Sequence, residues 1–246
     1  MRHVKSIFKR ELAGYFVTPV AYVFIVIFLI LSGVFTFSSD LGNFYERGQA
    51  DLRSFFGFHP WLYLFLIPAI SMRLWAEERK LGTIELLMTL PITMTQAVLG
   101  KFLAAWAFSG IALALTFPVW ITCNHLGDPD NYAIVSGYIG SFLLAGGFLA
   151  IGSCISAVTK NQVIAFVLSV VLCFVFLLSG LDVVMAFFRS WAPQVLLDTI
   201  ASFSFLTHFE AISKGVIDAR DLVFFASVVA FFLFSNVLIL DAKKAD

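Results

Sequence analysis

Long apolar runs alternate with short clusters of charge along this chain. Six charge-free intervals stand out, at 12–39, 54–72, 102–127, 131–159, 161–181 and 222–240. A helix needs about 20 mostly apolar residues to cross the hydrocarbon of a bilayer, and each interval supplies roughly that many. No strand-like alternation of apolar and polar positions occurs. Helices, which satisfy their own backbone hydrogen bonds, are therefore the predicted spanning elements. The pattern predicts an all-α polytopic membrane protein with six spans at about 17–37, 57–75, 102–123, 132–158, 162–182 and 221–240. Pro68 and Pro118 fall inside the second and third spans, where neighbouring helices can serve the freed carbonyls.

Two segments have a different rhythm. In residues 2–16, Val4, Ile7, Phe8, Leu12 and Tyr15 share one helical face, and Arg2, Lys5, Lys9 and Arg10 lie off it. That is the pattern of a basic amphipathic helix resting on a membrane surface. Residues 183–220 are too polar to cross and too apolar to stay in water, which predicts a short helix or re-entrant pair at the membrane edge, with Trp191 as an interfacial anchor. The fourth span repeats small residues every four positions, Gly137-Ser141-Ala145 and Gly146-Ala150-Cys154, the spacing that lets helix backbones approach closely.

Composition agrees with a lipid environment. Of 246 residues, 60% are hydrophobic and only 13% charged, against roughly a quarter charged in soluble domains. Net charge is zero, so no overall field favours nucleic acid. Where the cations fall is informative. Six crossings put both termini on one side, and 11 of the 16 Lys and Arg residues fall there. The positive-inside rule then makes that side cytoplasmic. The basic N-terminus lacks the pattern of a cleaved signal. Cys123, Cys154 and Cys173 have no metal-ligand spacing and read as packed thiols.

Between the second and third spans lies AEERKLGTIELLMTLPITMTQAVLGK, residues 76–101. Leu81, Ile84, Leu87 and Met88 follow helical spacing, Thr83 is placed to cap a helix, Glu85 suits its first turn and Pro91 ends it. The segment predicts a two-turn helix on the cytoplasmic side, rigidly continuous with the spans on either side. It could rest on headgroups, but an anionic leaflet repels Glu77, Glu78 and Glu85. A protein partner able to pair those carboxylates is the other reading.

The same stretch resembles the inner loop of permease subunits of ABC-2-type transporters. That loop has an E-E-x-x-x-G-T-hydrophobic-E-x-L pattern followed by proline, matched here by Glu77, Glu78, Gly82, Thr83, Glu85, Leu86 and Pro91. FLTHFEAISKGVIDARDLVFF, residues 205–225, is similar to the gliding-motility-associated branch of that family. The resemblance implies an ABC-2-type exporter permease fold occupying 1–246 as a single transmembrane domain. Its parts would be an interfacial helix (1–16), spans one and two (17–75), a cytoplasmic coupling-helix loop (76–101), spans three to five (102–182), an extracytoplasmic helical segment (183–220) and span six with a cytoplasmic tail (221–246). It also implies a contact with a cytoplasmic ATPase subunit through Glu77, Glu78, Arg79, Lys80, Gly82, Thr83, Glu85, Leu86 and Leu87. A second permease copy and an auxiliary membrane protein with a large extracytoplasmic domain would complete the assembly, in a bacterial inner membrane.

The chain itself carries no phosphate-binding loop: Gly100-Lys101 precedes Phe102, and position 95 is Thr95 rather than glycine. ATP and Mg²⁺ are therefore expected on the partner, with no cofactor and no metal on this chain. His208 with Glu210 is the most enzyme-like pair, and Asp182 at the end of span five could join them at an outer gate. Mechanotransmission to an outer partner without transport, an intramembrane transferase built on those three residues and a purely structural scaffold are the alternatives to export.

Overall fold

A computed structural model describes residues 2–89, 91–181, 184, 186 and 193–243. Every regular element among them is a helix. In chain order these are α1 (Arg2–Val17), α2 (Pro19–Phe37), α3 (Arg53–Ser71), α4 (Arg73–Leu81), α5 (Thr83–Thr89), α6 (Met94–Ala114), α7 (Phe117–Leu126), α8 (Asn131–Val158), α9 (Gln162–Leu178), α10 (Gln194–Ser202), α11 (Phe205–Ser213) and α12 (Ala219–Ala242). Among the described residues, five helical stretches are long and apolar enough to cross a membrane: Pro19–Phe37, Arg53–Leu81, Met94–Leu126, Asn131–Val158 and Ala219–Ala242. The sixth expected span, α9, has 17 residues and is about 25 Å long, a little under the thickness of the hydrocarbon.

Helix α8 is the hub, in contact with α3, α4, α6, α9, α11 and α12. Its small residues explain why. Gly137 faces the Phe56 ring, Gly146 the Trp106 indole and Gly147 the Phe205 ring, each so close that a methyl group would collide. Both small-residue ridges are thus used within the chain, and Ser141, Ala145 and Ala150 on them are fully buried. At Gly152 a β-carbon would lie 2.7 Å from Ser71 Cβ. We expect Gly152→Val to lower thermal stability by about 2 kcal/mol through overpacking. Gly33→Val, where a β-carbon meets nothing within 4 Å, should leave the melting temperature in detergent unchanged.

The prolines behave differently in the two spans. Pro68 stays inside α3, and its carbonyl accepts from Met72 N at 2.9 Å. The helix restarts at Arg73, and Ser156 on α8 supports the restart: its hydroxyl accepts from Trp75 N at 3.1 Å and Ala76 N at 3.0 Å, and donates to Met72 O at 2.8 Å. Pro118 sits at the start of α7, so span three is two helices joined through Leu115 and Thr116. Proline suits a first helical turn, where its missing N–H goes unused.

One end of the bundle gathers α1, α4, the C-terminal end of α8 and the C-terminal end of α12. Arg79 Nη1 donates to Ala157 O at 2.7 Å, and Lys243 Nζ reaches the same carbonyl at 3.3 Å. Both chain ends and the 76–101 loop therefore share this end. At the opposite end, the loops around Asp51 and Asp130 meet Ser213 and Lys214. From there α11 runs back into the bundle antiparallel to α8. Gly215 lies near Ala133, Gly140 against Ile212, and Gly147, mid-helix, against Phe205. Helix α11 thus re-enters the bundle, and Phe205 at its apolar tip is packed among Phe148, Phe176 and Phe225. Trp191 lies outside the described residues.

Candidate functional site: the loop between the second and third spans

The charged run that opens the loop is largely committed to the bundle. Arg73 grips Glu77 one turn on, with Nε to Oε2 at 2.8 Å and Nη2 to Oε1 at 3.1 Å. Glu78 Oε1 lies 2.8 Å from Lys101 Nζ, and Arg79 is spent on the end of α8. Two of the four consecutive charges, Glu78 and Arg79, fasten α4 to other helices, and Glu77 pairs within α4 itself. Only Lys80 points freely outward. Glu77 and Glu78, expected to meet a partner, are instead held by internal cations. Spacing in sequence shows which residues share a helical face, not which distant cation that face meets.

Lys101 is the unexpected centre. Its side chain keeps only 4% of its exposure and lies between Glu78 and Glu11 on α1, 3.3 Å away, with its ammonium 5.3 Å from the Trp75 ring centre. A buried lysine is tolerated only when paired and hydrogen-bonded. Here the pairing joins α1, α4 and α6. Burial pushes the Glu11 carboxyl up, but Lys101 and Arg10 outweigh that and hold it below its ordinary value. The apolar face of α1 packs on α6, with Ile7 buried against Gly100 and Tyr15 stacked on Phe108 at 4.9 Å. Helix α1 is therefore docked on protein along that face, while Lys5, Lys9 and Arg10 stay exposed. Two weak signals in the sequence pointed here: Glu11 is the one acid in a basic helix, and Lys101 the one charge between two long apolar stretches.

Beyond α4 the chain turns. Gly82 adopts the left-handed conformation at φ +71°, and its N–H closes on Glu78 O. This is a C-cap that glycine fills without the steric cost of a β-carbon. Thr83 does not cap the next helix as expected. It is the first residue of α5, and its hydroxyl donates back to Glu78 O at 3.4 Å. Helix α5 has 7 residues, and residues 90–93 separate it from α6. The expected rigid continuity with both spans is thus replaced by a firmly held α4, a glycine elbow and a short projecting α5. Leu81 is 68% exposed and Leu86 67%, and Glu85 is exposed with no ion pair among the described residues. The Leu87 side chain lies outside what is described.

Of the expected outer gate, His208 and Glu210 take different partners. His208 is buried, with Nδ1 2.6 Å from Asp221 Oδ1, Nε2 3.0 Å from Ser202 O and its ring stacked on Phe224 at 4.0 Å. Glu210 instead pairs with Lys214 on the surface at 3.2 Å. Residues two apart on a helix point away from each other, which is why His208 and Glu210 do not meet. Asp182 lies outside the described residues. His208 thus clamps α10, α11 and the start of α12 together, and Asp221 is the partner that sequence reading missed. Among the described residues no cluster of His, Cys, Asp and Glu could hold a metal, and all three cysteines are buried and free.

The sequence profile of the ABC-2 family transporter protein matches residues 6–242, and the chain belongs to that family. It is a membrane permease component of an ABC transporter, whose family implies a partner ATPase subunit. No curated protein matches the chain.

Proposed function

We propose that this chain is the permease subunit through which a separate cytoplasmic ATPase drives export or extraction of cargo at a bacterial inner membrane. One observation carries the reading: α4 is fastened to α1, α6 and α8 by ion pairs and hydrogen bonds, yet ends in a projecting elbow that exposes two large leucines and an unpaired acid. A force applied at α5 passes through α4 into the membrane helices on both sides. The ATPase contact is Lys80, Leu81, Thr83, Glu85 and Leu86. Glu78 and Arg79 hold α4 in place, Glu77 is paired within it by Arg73, and Gly82 sets the elbow.

In this reading α9 completes six crossings, and both termini lie in the cytoplasm with the loop. ATP and Mg²⁺ belong to the partner, and two permease copies face two ATPase subunits. The likeness of residues 205–225 to the gliding-motility branch supports an auxiliary membrane protein with a large extracytoplasmic domain on the far side. Reconstitution tests the assignment. The purified ATPase subunit should hydrolyse ATP several-fold faster when added to nanodiscs containing this chain than to empty ones. Equal rates, with no association of the two, would refute the coupling role.

A further inference from the structure

A cavity of about 660 Å³ lies between α1, α2 and the α3–α4 pair at the end that carries both termini. Its two ends differ in chemistry. The polar end is lined by Arg10, Arg73 and Lys101 together with Glu11, Glu77 and Glu78, three cations and three anions. The other end is walled by Val20, Val23, Ile27, Leu66 and Ile70. From its lip an exposed apolar stripe continues up α2 through Ile27, Ile30 and Val34.

Two further observations point to an occupant. Gly14 lies in the interior of α1 and lines the cavity, yet a β-carbon there would meet nothing within 4 Å. Glycine at such a position costs the helix about 0.5–1 kcal/mol relative to alanine, and no packing inside this chain requires it. In addition, Glu78 Oε2 is buried with no hydrogen-bond partner, although Oε1 of the same carboxylate is paired with Lys101. A buried acceptor left unmade is costly, and a donor entering from the cavity would relieve it.

We infer that this cavity holds a membrane phospholipid with a zwitterionic headgroup bearing a primary ammonium. A balanced set of charges does not select a net anionic headgroup, but it matches one that carries both signs. The ammonium donates to Glu78, the phosphate faces the guanidinium groups of Arg10 and Arg73, which also hold Glu11 and Glu77, and the acyl chains run along the α2 stripe. A quaternary ammonium has no N–H to give Glu78. Phosphatidylethanolamine is therefore preferred over phosphatidylcholine, and over phosphatidylglycerol, which has no cation. The lipid lies as a wedge between the docked α1 and the root of α4.

The test is lipid retention, which needs no ATPase and so stands apart from the coupling role. The purified chain is exchanged from nanodiscs containing equal amounts of the three lipids into detergent, and native mass spectrometry counts what remains bound. We expect one phosphatidylethanolamine kept about tenfold over either competitor, the size of effect that one hydrogen bond to a charged group gives. Gly14→Trp, which fills the polar end without removing a charge, should abolish retention while the melting transition persists. Glu78→Gln should bring the ethanolamine-to-choline ratio close to one. Equal retention of all three lipids, preference for the glycerol lipid, or retention unaffected by Gly14→Trp would overturn the assignment. So would a lipid-free dimer that closes the α2 face.

Discussion

Glu85→Arg combined with Leu86→Asp is expected to abolish stimulation of the ATPase while leaving the melting temperature of the permease unchanged. Both side chains project from α5 and touch little of their own chain, so the fold loses almost nothing. The partner loses an apolar anchor and meets reversed charge. Truncating a central interface residue costs about 2 kcal/mol or more, which corresponds to roughly thirtyfold in affinity. Co-purification of tagged ATPase and its hydrolysis rate in nanodiscs measure the two effects. The same reversal at Glu77 and Glu78 has a different signature. It would set cation against cation at Arg73 and Lys101 and lower stability before any partner is added. If the Glu85/Leu86 variant still binds and stimulates normally, α5 is not the contact.

Lys101→Met should be the most destabilising single change at this end of the molecule. It leaves Glu11 and Glu78 facing each other across a largely buried space without their shared cation. Removing one partner of a fully buried ion pair costs about 3–5 kcal/mol. The two carboxylates keep exposures of 20% and 21%, so about 2–3 kcal/mol is the appropriate expectation, a fall of roughly 5–10 °C for a chain of this size. The effect must be non-additive. Adding Glu11→Gln and Glu78→Gln to Lys101→Met removes the uncompensated charges and should recover most of the loss, as expected for residues in one network. Additive losses would mean that the three residues are not energetically coupled. Because Lys101 joins α1 and α4 to α6, the single variant should also raise protease sensitivity within α1.

The apolar runs made the helical architecture legible, because in lipid both the length and the backbone chemistry of a crossing element are tightly constrained. The family-specific spacing of Glu77, Gly82, Glu85 and Pro91 likewise marked the loop. Side-chain partnerships were not legible. Glu77 and Glu78 look like a partner-facing acidic pair until Arg73 and Lys101 are placed beside them. His208 looks paired with Glu210 until the turn after α11 brings Asp221 to within 2.6 Å. Glu78–Lys101 and His208–Asp221 join residues on different helices, and hydrophobic periodicity carries no information about which faces meet, whereas Arg73–Glu77 lies within α4 at a spacing of four. The glycine elbow was half legible. Gly82 was identified as part of the motif, but its positive φ, which sets the short helix off from span two where rigid continuity was expected, appears only in three dimensions.

A photo-crosslinking amino acid placed at Leu86, activated while the reconstituted complex hydrolyses ATP, tests the proposed coupling most directly. The account predicts a product joining permease and ATPase in high yield, and none from the same probe placed at Leu41 in the loop at the opposite end. A probe at Leu86 that labels only lipid during turnover would contradict it.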